Sequence, residues 1–200
     1  MTLQGERPAE TREARSPVTL QTARLVLRPP RPDGAKAIAA LANDIRIAQN
    51  TLRIPHPYAL ADAKAWLRLV NSQANGATFV VTLRDESVIG ACGVEPLRDG
   101  QQELGYWLGT HYWGHGYATE VARAVIDYAF SEFSYETIYS GARISNPASR
   151  RVLEKCGFQW LAVGLYRIRS IGSSAPIDRF RLERSIWSAL KNWGETKRLV

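Results

Sequence analysis

Six consecutive residues, Trp113-Gly114-His115-Gly116-Tyr117-Ala118, set two glycines at the start of an amphipathic stretch, a combination able to hold an anion. The run Glu103-Leu104-Gly105-Tyr106-Trp107-Leu108, of strand character, ends just before them. A helical period follows, with Ala118, Val121, Ala122, Val125 and Ala129 on one face. The first turn of a helix presents N–H groups that lack an intrahelical partner, and the helix dipole adds partial positive charge there. Glycine lets an anion come close to the main chain. The segment could therefore cradle a pyrophosphate without a lysine. It is not a Walker A loop, because no Gly-Lys-Ser/Thr follows, and Gly-x-Gly-x-x-Gly is incomplete. Taken alone, the glycine pair reads as readily as a tight strand-to-helix turn.

Other reactive side chains are sparse. Cys92 and Cys156 stand far apart, with no Cys or His at ligand spacing beside either, which excludes a zinc ribbon and argues against a disulfide framework. Both read as buried apolar thiols. His56 and His111 carry no spacing that suggests a metal, and His115 lies inside the glycine turn. The formal charge is +7, but basic residues occur only in short pairs such as Arg150-Arg151. A spread of this kind suits a solvated basic surface or an anionic cofactor, and argues against a nucleic-acid arm.

The elements that must position these residues follow from periodicity and turn chemistry. The chain has 200 residues, a normal length for one domain. Residues 1–17 are polar and aperiodic and read as a disordered tail; the domain spans 18–188, and 189–200 form a C-terminal tail. Ala23–Arg28 alternates as a first strand. Asp33 is a plausible N-cap for a helix with Ile38, Leu41, Ala42 and Ile45 on its apolar face. Pro55-His56-Pro57 imposes an extended loop, and a second helix starts near Ala61. Phe79–Leu83, Val88–Val94 and Glu103–Leu108 then read as an antiparallel meander. After the glycine turn and its helix come a strand at Thr137–Arg143 and a short helix. Asn146 is placed to cap that helix, Pro147 sits at its first position and Gly157 at its end. Strands around Leu161–Arg169 and Arg179–Ile186 complete an α+β domain with one mixed sheet. No stretch approaches the roughly 18 apolar residues of a membrane span. No secretory signal is visible, which favours the cytoplasm.

Two motifs then combine. Glu103-Leu104-Gly105-Tyr106-Trp107-Leu108-Gly109 followed by Tyr112-Trp113-Gly114-His115-Gly116-Tyr117-Ala118-Thr119-Glu120 resembles the GNAT superfamily of N-acetyltransferases, most of all its ribosomal-protein and small-amine branch (RimJ/RimL-like). Asn146-Pro147-Ala148-Ser149-Arg150-Arg151-Val152-Leu153-Glu154-Lys155-Cys156-Gly157-Phe158 resembles that branch's second cofactor segment, and Thr22–Arg28 its first strand. The resemblance implies a GNAT fold, a mostly antiparallel mixed sheet splayed between its fourth and fifth strands and flanked by helices. It implies acetyl-CoA as co-substrate, no metal, and an amine acceptor, either a protein N-terminus or a small amine. By the same resemblance the amides of Gly114, His115, Gly116, Tyr117, Ala118 and Thr119 would take the pyrophosphate. The strand of Tyr106, Trp107 and Leu108 would pair with the pantetheine arm, Asn146 would hydrogen-bond that arm, and Ser149 would lie near the sulfur. The turn often begins with Gln or Arg in the family; here Trp113 stands there and is expected to pack beside it. A membrane role is not implied, and the assembly is a monomer or a homodimer.

Acetyl transfer needs a neutral amine, a polarised carbonyl and a proton for the departing thiolate. An α-amine has a pKa near 8, so roughly a quarter is neutral at about pH 7.5. A lysine amine, at about 10.4, is neutral only about one part in a thousand, a deficit of roughly 4 kcal/mol. Glu103, on one face with Gly105 and Trp107, is the candidate base, with an ion-paired structural Glu as its alternative. Relatives often carry a tyrosine where this chain has Leu153, and a strand carboxylate where it has Gly141. Ser149 is the remaining protic candidate for the acid, with a backbone-bonded helix serine as its alternative. A backbone N–H near Trp107 or Leu108 is expected to polarise the carbonyl. Neither cysteine has a visible His–carboxylate partner, which favours direct attack in a ternary complex over an acyl-enzyme. Leu52–Pro57, Tyr58 and Trp66 fall where such relatives shape the acceptor site. A catalytically silent CoA-binding module is the alternative reading, and a basic RNA- or ribosome-associated protein a third.

Overall fold

The computed structural model describes residues 18–72, 77–97 and 99–191 in full, and residues 197–199 as backbone. The expected tail over 1–17 lies outside the described residues. The strands are β1 (Thr19–Gln21), β2 (Leu25–Arg28), β3 (Ala77–Leu83), β4 (Val88–Pro96), β5 (Gln102–Leu108), β6 (Thr137–Arg143), β7 (Gln159–Ile168), β8 (Ser173–Glu183) and β9 (Lys197–Leu199). The helices are α1 (Ala35–Ala42), α2 (Ile45–Ala48), α3 (Leu60–Ser72), α4 (Tyr117–Glu132), α5 (Pro147–Lys155) and α6 (Arg184–Leu190). Among the described residues the strands form one sheet in the order β7-β8-β6-β5-β4-β3-β2-β1-β9. Neighbours run antiparallel except β5 and β6. None of the helices described is long and apolar enough to cross a membrane.

Three local expectations are corrected. The helix expected from Asp33 to Ile45 is two helices. Asp44 breaks it by capping α2, its carboxylate accepting from the Arg46 N–H at 2.8 Å, while Asn43 Oδ1 accepts from the Tyr58 N–H at 2.9 Å. Ile45 therefore faces out, 41% exposed. Asp33 caps nothing; it lies in a 3-10 turn over Pro32–Gly34 and pairs with Arg28 at 3.6 Å. Ile186 belongs to α6 rather than to a strand. In addition, the 189–200 segment expected as a tail contributes β9, paired with β1 at the sheet edge.

The two faces of the sheet bury different helices. Cys92, Val94, Leu104, Ile138 and Phe180 pack against the α4 side chains Val121, Val125 and Ala129 and against Leu153 of α5. Val80 and Trp107 turn the other way, to Ile38 of α1, Ala63 and Leu67 of α3, and Tyr58. This is period-two alternation along each strand, with a helix stripe at i, i+3, i+4, i+7 closing each face.

The sheet opens in its middle. β4 and β5 pair over seven positions, from Gly90–Leu108 to Pro96–Gln102. β5 and β6 pair only at Gln102–Ile138 and Glu103–Tyr139, with the Ser140 hydroxyl donating to the Leu104 carbonyl at 2.9 Å just beyond. Past that point the two parallel strands diverge, and a cavity of about 1090 Å³ runs through the gap.

Candidate active site

The glycine turn sits where β5 leaves the sheet. Gly114 (φ 81°) and Gly116 (φ 80°) are both left-handed, a conformation that favours glycine. Gly116 is the N-cap of α4, and no side chain caps the helix there. The first intrahelical bond is Glu120 N–H to the Gly116 carbonyl at 3.2 Å, so the amides of Tyr117, Ala118 and Thr119 are left pointing outward. No Lys is needed at this end, because the helix terminus itself carries the positive potential.

The flanking residues take defined places. Trp113 is 45% exposed, and its indole N–H donates to the Leu108 carbonyl at 2.8 Å, packing beside the turn as expected. His115 is exposed and stacks on Tyr117 at 5.6 Å between ring centroids. Arg24, from the start of the β2 segment, donates to the His115 carbonyl at 2.9 Å and lies over the Tyr117 ring at 4.6 Å. The Glu120 carboxylate holds Arg24 at 2.7 Å and accepts from the Thr22 hydroxyl at 2.6 Å. Neither Arg24 nor Glu120 stood out as a site residue in the sequence, although both lie in family-like segments.

Register decides which β5 amides face the gap. The Gly109 N–H donates to the Ile89 carbonyl at 2.8 Å, so by antiparallel alternation Trp107, Gly105 and Glu103 also turn their backbone groups to β4. Tyr106 and Leu108 turn theirs toward the gap. Of the two residues expected near the carbonyl, Leu108 presents its N–H there and Trp107 does not. The Trp107 side chain packs with α1 and α3 instead.

α5 borders the other side of the gap. Asn146 caps it, its side-chain oxygen accepting from the Ser149 N–H at 3.2 Å, which leaves the amide N–H₂ available to the cavity it lines. The Ser149 hydroxyl is 2.8 Å from the Tyr106 hydroxyl, which also donates to the Ser149 carbonyl at 3.2 Å. Burial pushes the Tyr106 phenol well above its usual range, so it stays protonated and can donate to, or accept from, the Ser149 hydroxyl. This Tyr–Ser pair, 43 residues apart, has no local signal in the sequence, which points only to the Tyr106 main chain. Leu153 lies fully buried in the core.

Glu103 lies at the closed end of the gap and does not stand free. Arg179 of β8 reaches it at 2.5 Å, both side chains only about a tenth exposed (11% and 13%). Gly141 makes this possible: it sits beside Arg179 in the register, and a Cβ there would meet the Arg179 guanidinium at 3.1 Å and Ile177 at 2.9 Å. The missing strand carboxylate thus gives passage to an arginine. Directly across from Glu103, Glu95 of β4 pairs with Arg53 at 2.9 Å. Between Glu103 and Trp107, Gly105 opens the cavity floor, since a Cβ there would meet nothing within 4 Å. The Leu52–Pro57 loop roofs this end. It is tied across the cavity by the Arg169 N–H to the Leu52 carbonyl at 3.1 Å, next to the bond from Arg143 to the Gln49 carbonyl at 2.8 Å. Tyr58 is buried beneath it, its phenol pushed up to about 12 by burial and, second, by Asp62. Trp66 packs with the same cluster.

The thiols are inert. Cys92 and Cys156 are free and buried, and burial raises Cys92 well above the usual thiol range and Cys156 to about 12. Neither supplies a thiolate nucleophile near neutral pH.

Comparison with known proteins adds to this geometry. The family model described as acetyltransferase (GNAT) domain matches residues 24–159. The chain is 30% identical over 148 residues to an uncharacterized N-acetyltransferase, p20, of Bacillus licheniformis, covering 70% of this chain and 82% of that protein. Among solved structures it is similar to Mycobacterium smegmatis RimJ in complex with CoA-disulfide (TM-score 0.71, 17% identity, 88% of this chain and 93% of that one). It is also similar to spermidine N-acetyltransferase from Vibrio cholerae in complex with CoA and spermine (TM-score 0.71, 20% identity, 82% and 98%). Those two likenesses are of fold.

Proposed function

The chain belongs to the GNAT family of acetyltransferases and is an acetyl-CoA-dependent N-acetyltransferase, and on that premise we propose that it acetylates a primary amine of low pKa, an α-amine or small amine, by direct attack in a ternary complex. One observation carries the reading. The cradle of outward amides at Tyr117–Thr119 and the open floor over Gly105 are two ends of one cavity, joined through the gap between β5 and β6. A phosphate-bearing thioester entering from the α4 end would thread that gap and present its carbonyl to an amine from the opposite face.

The residues then divide the work as follows. The amides of Gly114 to Thr119 take the pyrophosphate, and the main chain of Tyr106 and the side-chain amide of Asn146 hold the pantetheine. The Leu108 N–H polarises the carbonyl, placed before the reaction where negative charge develops. The amine attacks, the C–N bond forms as the C–S bond breaks, and the thiolate takes a proton from the Ser149 hydroxyl as water replaces that proton through the Tyr106 hydroxyl, so that both hydroxyls end protonated. The proton lost by the amine passes through water toward Glu103. Glu103 is held by Arg179 and does not stand free to take a proton directly from the amine, and this supports an acceptor that is already substantially neutral at working pH, which an α-amine is and a lysine is not. Two buried, protonated thiols support the absence of an acyl-enzyme.

The test is release of CoA thiol from acetyl-CoA against a panel of amines graded by pKa, from peptide N-termini to polyamines and lysine. Rates that rise as amine pKa falls support the reading. Preference for the high-pKa members would overturn it, as would saturable CoA binding with no turnover on any amine.

A further inference from the structure

The glycine turn has a mechanical problem that its own sequence does not solve. Gly114 and Gly116 give it the shape an anion needs, yet both are exposed, and a Cβ on Gly114 would meet nothing within 4 Å. Glycines also leave the turn entropically free. In addition, Glu120 places a carboxylate in the first turn of α4, next to the amides that must receive a doubly charged pyrophosphate.

One side chain answers both difficulties. Arg24 reaches across from the β1–β2 connection with a fork used on two sides. Its Nη1 donates to the His115 carbonyl at 2.9 Å, at the crest of the turn between the two glycines. Its Nε donates to Glu120 Oε2 at 2.7 Å, and its Nη2 lies at the same distance from that oxygen. The other carboxylate oxygen is taken by the Arg24 N–H at 2.9 Å and the Thr22 hydroxyl at 2.6 Å. Thr22 is itself fixed, its N–H donating to the Leu25 carbonyl at 3.0 Å and its carbonyl accepting from Arg84 at 2.7 Å. The Arg24 guanidinium also covers the Tyr117 ring, the first residue of α4, and stands 3.5 Å from where a Gly116 Cβ would be.

We propose that Arg24 is a positioning residue for cofactor binding: it bolts the phosphate turn to the sheet through the His115 carbonyl and Glu120, and cancels the Glu120 charge beside the pyrophosphate. This rests on the phosphate-turn reading. With Trp113 in the place where relatives often carry a cation, the charge that offsets Glu120 comes from the β1–β2 connection, some ninety residues earlier. Lysine cannot replace it, because an ammonium is a point donor and cannot span two fixed acceptors with a planar fork.

The experiment measures CoA affinity by calorimetry, KM for acetyl-CoA and for the amine separately, and thermal unfolding, on R24Q, R24K, R24Q/E120Q and G116V. R24Q is expected to weaken CoA and raise KM for acetyl-CoA by about tenfold or more, the loss of one charge-assisted bond, while KM for the amine moves less than twofold. R24K should recover less than half of the lost affinity, because it restores charge but not the fork. R24Q/E120Q should bind CoA better than R24Q, because the uncancelled carboxylate is gone. CoA affinity within twofold of the parent in folded R24Q, with G116V abolishing binding, would overturn the inference and leave the turn reading intact. Equal loss for both substrates together with a large drop in Tm would overturn it as well, by assigning Arg24 to the fold alone. Unchanged CoA affinity in folded G116V would remove the turn reading itself.

Discussion

Replacement of Gly116 by valine separates the cradle from the fold. Gly116 stands at φ 80°, ψ 0°, and the only atom a Cβ would approach is Arg24 Nη2, at 3.5 Å. The protein therefore has room for the side chain, and the variant folds at the cost of left-handed strain, about 1–2 kcal/mol. For a domain of this size that lowers Tm by roughly 2–8 °C. Valine seldom holds φ near 80°, so the strain falls on the turn itself and displaces the Tyr117–Thr119 amides that follow it. A hydrogen bond to a charged partner contributes ~1.5–3 kcal/mol, so forcing a phosphate off two amides costs ~3–6 kcal/mol, a loss on the order of 10²–10⁴-fold in CoA affinity. Gly172, at φ 63° with nothing within 4 Å of its Cβ, sits in the β7–β8 turn, and Gly172→Val carries the same kind of strain away from the cradle. Calorimetric titration of both variants with CoA, beside their melting curves, gives the comparison. Weak CoA binding in Gly116→Val alone is expected. A folded Gly116→Val with affinity within twofold of the parent would refute the reasoning.

Four further outcomes are expected. Gly105→Val closes the open floor between Glu103 and Trp107 and should raise KM for the amine by about tenfold, a side chain's worth of lost contact, while CoA titration stays unchanged. Glu103→Gln leaves Arg179 facing a neutral partner and should cost roughly 2–4 kcal/mol of stability, read by denaturant unfolding; rates should fall more for high-pKa amines, and equal loss across the panel assigns Glu103 to structure. Ser149→Ala should lower kcat by about 10²-fold, the scale of a lost general acid, and Tyr106→Phe by less, measured at saturating acetyl-CoA; an unchanged Ser149→Ala rate removes Ser149 from the proton path. The Glu120 carboxyl, despite the opposing effect of its burial, is held below the usual range by Thr22 and Arg24. Its contribution is thus complete above about pH 4.5 and is lost as pH falls through the lowered folded value. Tm followed from pH 6 to pH 3 should therefore fall less steeply in Glu120→Gln than in the parent.

Much of this molecule is legible from local pattern. The glycine turn could be read because its pattern is contiguous: strand, two glycines and amphipathic helix follow one another along the chain. The α5 cap could be read for the same reason, since Asn146 and Ser149 interact across three positions. Buried cysteines and the alternating strands are likewise properties of short windows. Asp44 splits the first helix by capping the next one, although the apolar period runs on through Ile45, which the fold leaves exposed.

The state of the candidate catalytic groups was decided by tertiary structure. Glu103 could be nominated from its strand position, but its ion pair comes from Arg179, 76 residues away, and reaches it only because Gly141 on the strand between has no side chain. Tyr106 meets Ser149 across 43 residues, and Arg24 grips His115 across 91. The choice of Leu108 over Trp107 as the amide facing the gap depends on register with β4, which a one-residue slip would reverse. Sequence by itself determined that a glycine turn with the chemistry to take an anion precedes a helix, and that the Asn146–Phe158 segment after it resembles a family segment. Which charges are cancelled, which amides are presented and where the floor is open depend on side chains that meet only after the sheet has closed on one side and parted on the other.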